Sequence, residues 1–143
     1  MTEKPITGEE FKKRLIDLLV KTRFQGLPRK DRDKHIILKS IALRLDAEKD
    51  YTSSEINEEL RSWLGRVADT DSGDHVALRR ELVDEGYLSR EPDGSQYKLA
   101  PSGESRIGFD DSVEAIDILA VVMEGRDFIE RKKQEFMAKK SNS

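Results

Sequence analysis

The stretch from Asp74 to Leu99, DHVALRRELVDEGYLSREPDGSQYKL, constrains most strongly what this chain folds into. Apolar residues recur every three or four positions in its first half, which predicts a helix over about Asp74–Glu85. Gly86 follows, at the position where a left-handed residue commonly ends a helix. Two short segments of strand character then flank a Pro-Asp-Gly-Ser turn, and they predict a β-hairpin with strands Tyr87–Arg90 and Gln96–Leu99.

Four further helices are predicted around this unit. Thr7 and Thr52 each precede a glutamate by three residues, which is the capping-box signature of a helix start. The same apolar spacing supports the remaining two segments. The predicted helices start at Thr7 and end near Arg23, start at Arg29–Lys34 and end near Leu45, cover Ser53–Leu64 with Gly65 as the stop, and run from Asp111 to about Met137. Tyr51 can add a very short strand to the hairpin.

Between Lys30 and Leu99 the predicted elements are three helices followed by a hairpin. This is the order of elements in a winged helix-turn-helix. The predicted fold class is therefore mainly α within α+β, with a winged core, an extra N-terminal helix and a long C-terminal helix. The predicted division is 1–25 for the N-terminal extension, 26–100 for the winged domain and 101–143 for a linker and the last helix. We expect fraying at residues 1–6, a mobile or ligand-facing link at Arg66–Gly73, a linker at Ala100–Ile107 and a disordered tail at Lys139–Ser143.

Composition excludes several classes of protein. Hydrophobic residues make up 36% of the chain and charged residues 38%, so the expected core is small. Cysteine is missing, which excludes disulfides and thiolate metal sites. The longest nearly uninterrupted apolar run, Ile118–Met123, is far shorter than the roughly 20 residues of a membrane-spanning helix. We therefore expect a cytoplasmic protein without a membrane partner.

Several blocks of the sequence also resemble one bacterial domain family of unknown function. The blocks occur in the family's order over roughly residues 26–99: Gly26-Leu27-Pro28 with the basic run after it, Tyr51-Thr52-Ser53-Ser54-Glu55-Ile56-Asn57, the segment ALRRELVDEGYL from Ala77 to Leu88, and Arg90 with Asp93-Gly94-Ser95-Gln96-Tyr97. That family is regarded as winged-helix-like and occurs alone or beside helix-turn-helix regulator domains. The resemblance implies the fold and carries no catalytic or binding residues.

Adjacent arginines on the helix before the hairpin are predicted to do different work. Helical periodicity places Arg79 on the inner side, where its stem packs on the core and its charge needs a partner, such as Glu55 or Asp84. Arg80 falls on the opposite, solvent side beside Ala77. There it contacts a base edge or a phosphate if the helix enters a major groove, or it pairs with Asp84 on a solvated face. Sequence alone leaves both readings open.

Charge is distributed unevenly along the chain. The net charge is −3, yet eight basic residues against two acidic ones lie between Lys21 and Arg44. Between Asp74 and Lys98 there are four basic and six acidic residues, so the helix expected to read DNA is in an acidic segment. Phosphate binding needs positive charge where the backbone passes. The predicted DNA-binding residues are Arg80, Ala77, Arg29, Lys30, Arg32, Lys34, Arg90 and Lys98.

The hairpin and the histidines favour structural roles. Glu91 and Asp93 near the hairpin tip would be repelled by a minor groove, so the hairpin is expected mainly to complete a small sheet. His35 and His75 show no ligand spacing and are interpreted as surface residues at helix starts. No phosphate-binding glycine loop, nucleophile elbow or metal-ligand pattern is present in the sequence. We predict neither catalytic nor metal-binding residues, no cofactor, and a protein that is not an enzyme.

The two terminal helices resemble the layout of dimeric bacterial regulators of the multiple-antibiotic-resistance type. In those proteins the flanking helices build the dimer; alternatively, both helices here fold back over their own core. We favour a homodimer through the N- and C-terminal helices. The predicted function is a DNA-binding bacterial transcriptional regulator or accessory factor, and the alternative is a winged helix used only for protein–protein contact. The effector ligand, operator and regulated process leave no signal in the sequence.

Overall fold

The computed structural model describes residues 4–70, 73–100 and 107–141. Over these residues the protein is mainly helical with one small antiparallel sheet, and this confirms the predicted α+β class. The elements, in chain order, are α1 (Gly8–Ile16) with a π-helical turn (Asp17–Lys21), α2 (Asp31–Ala42), β1 (Tyr51–Thr52), α3 (Ser53–Ser62) with a π-helical turn (Trp63–Val67), α4 (His75–Asp84), β2 (Leu88–Arg90), β3 (Gln96–Leu99), a 3₁₀ turn (Asp111–Ala115) and α5 (Ile118–Ser141).

The sheet places the hairpin against the start of α3. Its strand order is β1-β3-β2, and both pairings are antiparallel. Tyr51 pairs with Tyr97, so the very short strand predicted at Tyr51 is confirmed. Gly86 has φ +86° and Gly94 has φ +75°, conformations that glycine adopts at little cost at the end of α4 and in the hairpin turn. One glycine therefore lets the chain leave α4 for β2, and the other lets β2 turn back into β3.

Buried apolar residues from all five helices and the sheet form one core. Trp63 lies at its centre, 1% exposed, with Phe24 packed edge-to-face at 5.2 Å between ring centroids. The indole N–H donates to Ser40 Oγ at 3.0 Å, and that hydroxyl donates to the carbonyl of Ile37 at 2.6 Å. The two buried polar groups thus satisfy each other inside the core.

The N-terminus is more ordered than the sequence suggests. Residues 1–3 lie outside the described residues, but Ile6 is fully buried and forms a parallel bridge with Phe109. Its N–H donates to the carbonyl of Gly108 at 3.0 Å, and its carbonyl accepts from Asp110 at 2.8 Å. The prediction of fraying at residues 1–6 is wrong at Ile6, because a distant segment supplies both the backbone partners and the apolar contact.

Gly65 does not end α3. The helix continues through Gly65 as a π-helical turn to Val67, and Val67, Ala68 and Thr70 are buried. The predicted mobile or ligand-facing link at Arg66–Gly73 is therefore wrong in its first half, since these side chains belong to the core; residues 71–72 lie outside the described residues. Arg126 of α5 donates to the carbonyl of Val67 at 2.6 Å, so a basic side chain satisfies the end of this helix.

The last helical segment begins in two pieces rather than one. A short 3₁₀ turn (Asp111–Ala115) is capped by Asp110, and α5 starts only at Ile118. Its core face is Ile118, Val121 and Val122, whereas Met123, the last residue of the apolar run, is 53% exposed. The helix runs to Ser141, so the prediction of a disordered tail is wrong at its first residues. Most of the predicted linker, at 101–106, lies outside the described residues.

Helix α1 and the first turns of α5 pack on the protein's own core, whereas the rest of α5 is largely exposed. The apolar side chains of α1, including Phe11 and Leu15, are fully buried, and α1 packs against α2 and the first part of α5. The extra N-terminal helix therefore shares a core with residues 26–100, while the predicted domain division itself stays a prediction. Within the described ranges, no helix is long and apolar enough to span a membrane.

Candidate nucleic-acid interface

Helix α4 presents one buried and one open face. Leu78 and Leu82 are buried, whereas Val76, Ala77, Arg80 and Asp84 are exposed. Asp74 caps the helix by accepting from the Ala77 N–H at 3.0 Å, which fixes where the helix begins. The open face therefore carries both residues that the sequence predicts to read a groove, Ala77 and Arg80.

Arg79 lies on the inner side of α4, as helical periodicity predicts. It is half-buried, and its Nη1 donates to Asn57 Oδ1 on α3 at 2.8 Å. Its guanidinium carbon lies 5.5 Å from the centre of the Tyr97 ring. The expectation of a carboxylate partner, Glu55 or Asp84, is wrong: the hydrogen bond is to the neutral amide of Asn57, which fixes the orientation of Arg79 without adding a negative charge beside it.

Arg80 is exposed and has no hydrogen-bond or ion-pair partner among the described residues. The alternative prediction, an ion pair with Asp84 four residues later, is wrong, because the structure shows no contact of this kind between the two side chains. A free guanidinium on an open helix face keeps its planar array of donors for a guanine edge or a phosphate.

A cleft of about 250 Å³ separates α4 from the hairpin, and we call it the hairpin cleft. It brings together the three arginines nearest the open face with one acidic and three less polar residues. The lining residues are Val76, Arg79, Arg80, Val83, Asp84, Arg90 and Tyr97. The Arg90 side chain lies against the turn at Gly94: a Cβ atom added to Gly94 would be 2.6 Å from Arg90 Nη2.

A larger cleft of about 650 Å³ lies on the other side of α4, and we call it the loop cleft. Arg23 stands on the loop that forms one wall, and Asp74, Ala77 and Glu81 of α4 form the other. The open face of α4 therefore lies between two concave surfaces, each with at least one exposed arginine at its edge.

The basic residues before and within α2 divide into free and paired ones. Arg29 and Lys30 are exposed and have no hydrogen-bond or ion-pair partner in the described part of the chain. Arg32 instead makes a two-pronged contact with Glu10, at 2.7 and 2.8 Å. The hydrogen bond from Arg32 lowers the pKa of Glu10, which marks a pair stabilised in its charged form.

Lys34 is also engaged inside the protein. Its Nζ lies 3.3 Å from carboxylate oxygens of both Glu81 and Glu85 on α4. Burial opposes the charged form of Lys34, but these two hydrogen bonds outweigh it and raise the pKa of the amine. Arg32 and Lys34 thus hold α1 and α4 against α2, and phosphate contacts from them would compete with these ion pairs.

The hairpin tip keeps the acidic character that its composition suggests. Asp93 Oδ1 accepts from the backbone N–H of Ser95 at 2.9 Å and from its hydroxyl at 2.6 Å. These hydrogen bonds lower the pKa of Asp93, so the carboxylate stays charged while one of its oxygens closes the turn. Lys98 is exposed on β3 opposite Ser89, and Arg90 is exposed on β2, so each strand of the hairpin carries one exposed cation.

His35 was interpreted as a surface residue, and this is wrong. Its ring is fully buried, with Nδ1 2.7 Å from the Tyr87 hydroxyl and Nε2 2.8 Å from the Glu85 carboxylate. The histidine therefore ties α2 to the end of α4 and to the first residue after Gly86. The sequence places His35 directly after Lys34, near the predicted start of α2, which favoured an exposed position. The apolar run Ile36–Leu38 that follows it is the signal that could have predicted its burial.

The described residues contain no group of three or more histidine and acidic side chains placed to hold a metal ion. Comparison with known proteins finds no match among curated proteins and none among solved structures. A protein-family model does match residues 23–99, which run from the loop cleft through α2, α3 and α4 to the end of the hairpin. Since the match covers more than half of the 143 residues, the chain belongs to the DUF2087 family, described as an uncharacterized protein conserved in bacteria.

Proposed function

We propose that this protein is a winged-helix DNA-binding module, acting as a bacterial transcriptional regulator or accessory factor in the cytoplasm. The single observation that carries the proposal is Arg80, exposed and unpaired among the described residues, on the open face of α4. The order helix, strand, helix, helix, hairpin supports it, because in winged helices the helix before the hairpin is the one that enters the major groove.

In this proposal Ala77 and Arg80 face base edges, and free cations around them contact phosphates. Ala77 is small enough to approach a thymine methyl, while Arg80 matches the two acceptors of guanine. Arg29, Lys30, Arg90 and Lys98 are exposed and make no hydrogen bond or ion pair in the described part of the chain, although Asp93 lies near enough to interact electrostatically with Arg90. Arg32 and Lys34 take a secondary place, because each would first have to leave its ion pair. The role is binding rather than catalysis.

The test is fluorescence anisotropy of a labelled duplex of random sequence at two salt concentrations. Wild-type affinity should fall steeply as salt rises, because neutralised phosphates release counterions. Arg80→Gln should weaken binding by about tenfold, the loss of one charge-assisted contact. Arg61→Gln is the matched control, since Arg61 is exposed on α3 and lines neither cleft. Equal affinities for the two variants would contradict the assigned role of Arg80.

A wild-type protein that fails to bind duplex DNA at low salt would overturn the proposal. The remaining interpretation would then be a winged helix used for protein–protein contact, with Val76, 41% exposed beside Ala77, in the contact surface. Selection of bound sequences from a genomic library would, in the opposite case, define the operator.

A homodimer remains a second proposal, now restricted to one helix. The apolar residues of α1 are used by the core, whereas α5 exposes Phe128, Phe136 and Met137 at 55%, 65% and 59%. Exposed aromatic side chains on a projecting helix favour contact with another protein surface. Sedimentation velocity at several concentrations tests the dimer: a concentration-dependent shift abolished by Phe136→Glu supports it, and a constant monomer contradicts it.

A further inference from the structure

We infer that the hairpin cleft is a binding site for one phosphate group, held between Arg80 and Arg90 with Arg79 behind them. The inference deepens the proposed function. It rests on that function only where it names DNA as the source of the phosphate. The same chemistry would accept a backbone phosphate of DNA or the phosphate of a small free molecule.

Charge is the first argument for this ligand. Three guanidinium groups and one carboxylate, that of Asp84, line the cleft. No ion pair joins Asp84 to these arginines, and among the described residues neither Arg80 nor Arg90 has a hydrogen-bond or ion-pair partner. The Asp93 carboxylate beside the hairpin turn also acts on the charge of Arg90. The cleft lining still has a surplus of positive charge, three guanidinium groups against one carboxylate, and N–H donors that suit a tetrahedral oxyanion.

Rigidity is the second argument. Asn57 and the Tyr97 ring orient the guanidinium of Arg79, and Tyr97 is buried in the centre of the sheet. The Arg90 side chain lies on the turn at Gly94, where a larger residue would displace it. Arg79 is thus placed before a ligand arrives, which lowers the entropy cost of binding, and Arg80 and Arg90 close on the ligand from the exposed sides of the cleft.

Size is the third argument. A volume of about 250 Å³ falls below the roughly 300–1,000 Å³ of clefts that take drug-sized ligands. The walls include Val76 and Val83, which narrow the cleft without adding donors. A single phosphate with part of its attached sugar suits this space better than a larger organic ligand.

The experiment uses the full chain and two probes, inorganic phosphate and a labelled duplex. Phosphate should raise the melting temperature of the wild type, because it binds the folded state, and should raise that of Arg90→Gln much less. With the duplex, Arg90→Gln should reduce the slope of log affinity against log salt by about 0.9, the value for one phosphate contact. Arg61→Gln is the control and should match wild type in both measurements.

The outcomes separate the inference from the proposed function. Duplex binding with an unchanged salt slope in Arg90→Gln, together with no phosphate effect on melting, overturns the inference and leaves DNA binding in place. Phosphate protection that depends on Arg90, without duplex binding, overturns the proposed function and identifies the ligand as a free phosphorylated molecule. A slope reduced by Arg90→Gln and not by Arg61→Gln supports the backbone phosphate. Equal responses of these two variants to both probes contradict the site.

Discussion

Arg79 and Arg80 are neighbours in sequence but lie in opposite surroundings on α4: Arg79 is half-buried with its Nη1 2.8 Å from Asn57 Oδ1, and Arg80 is exposed without a partner among the described residues. Arg79→Ala should lower the free energy of unfolding by about 1–2 kcal/mol through the lost hydrogen bond and ring contact. Arg80→Ala should change it by less than about 0.5 kcal/mol. Urea unfolding measures both, and a larger loss for Arg80 than for Arg79 would contradict the assignment.

The buried histidine should matter far more for stability than the other one. His35→Ala removes hydrogen bonds to Tyr87 and Glu85 and leaves a cavity, so we expect a loss of about 2–4 kcal/mol. His75→Ala is the control, because His75 is half-buried at the start of α4 and makes no hydrogen bond or ion pair with the described residues; its change should stay within about 0.5 kcal/mol. Equal losses of unfolding free energy for the two variants in chemical denaturation would contradict the contacts of His35 with Tyr87 and Glu85.

Acid should weaken the contact between α1 and α2. Arg32 holds the pKa of Glu10 below its ordinary value, so the pair stabilises the fold above the pKa of the unfolded chain. That stability is lost as pH falls through the lowered pKa. Glu10→Gln should therefore cost about 0.5–1 kcal/mol at neutral pH and less at an acidic pH below the ordinary pKa of a glutamate. Thermal unfolding at both pH values measures this, with the exposed neighbour Glu9→Gln as control. A difference independent of pH would count against the pair.

Two glycines in helical backbone should respond to larger side chains with opposite signs. A Cβ atom at Gly65 would meet nothing within 4 Å, so Gly65→Ala should stabilise the protein by about 0.5–1 kcal/mol. A Cβ atom at Gly125 would lie 3.0–3.3 Å from three atoms of Ile16, where α5 crosses the end of α1. Gly125→Val should destabilise by about 1–3 kcal/mol. Melting temperatures that move in the same direction would contradict this crossing.

Local signals predict the centre of this fold well. The cap at Thr52, the left-handed Gly86 and the Asp-Gly turn depend on interactions within a few residues, and the different exposures of Arg79 and Arg80 follow from the periodicity of the helix that carries them. Each is present in the structure where the sequence puts it.

Features that depend on distant segments escaped the sequence. Ile6 is ordered by Phe109, and His35 is buried by residues about fifty positions later. The sequence predicts a helix end at Gly65. In the structure the helical backbone continues to Val67 as a π-helical turn, because Val67 and Ala68 pack in the core. At the candidate site, composition predicts that Arg32 and Lys34 are free, and only the fold shows that their partners lie on α1 and α4.

The most direct test of DNA binding through α4 and the hairpin is the shift of each backbone amide signal in NMR as a short duplex is added. The predicted result is a set of salt-sensitive changes along Val76–Asp84, in the hairpin from Leu88 to Leu99, and at Arg29 and Lys30, with α5 unchanged. Changes confined to α5, or none at low salt, would contradict it.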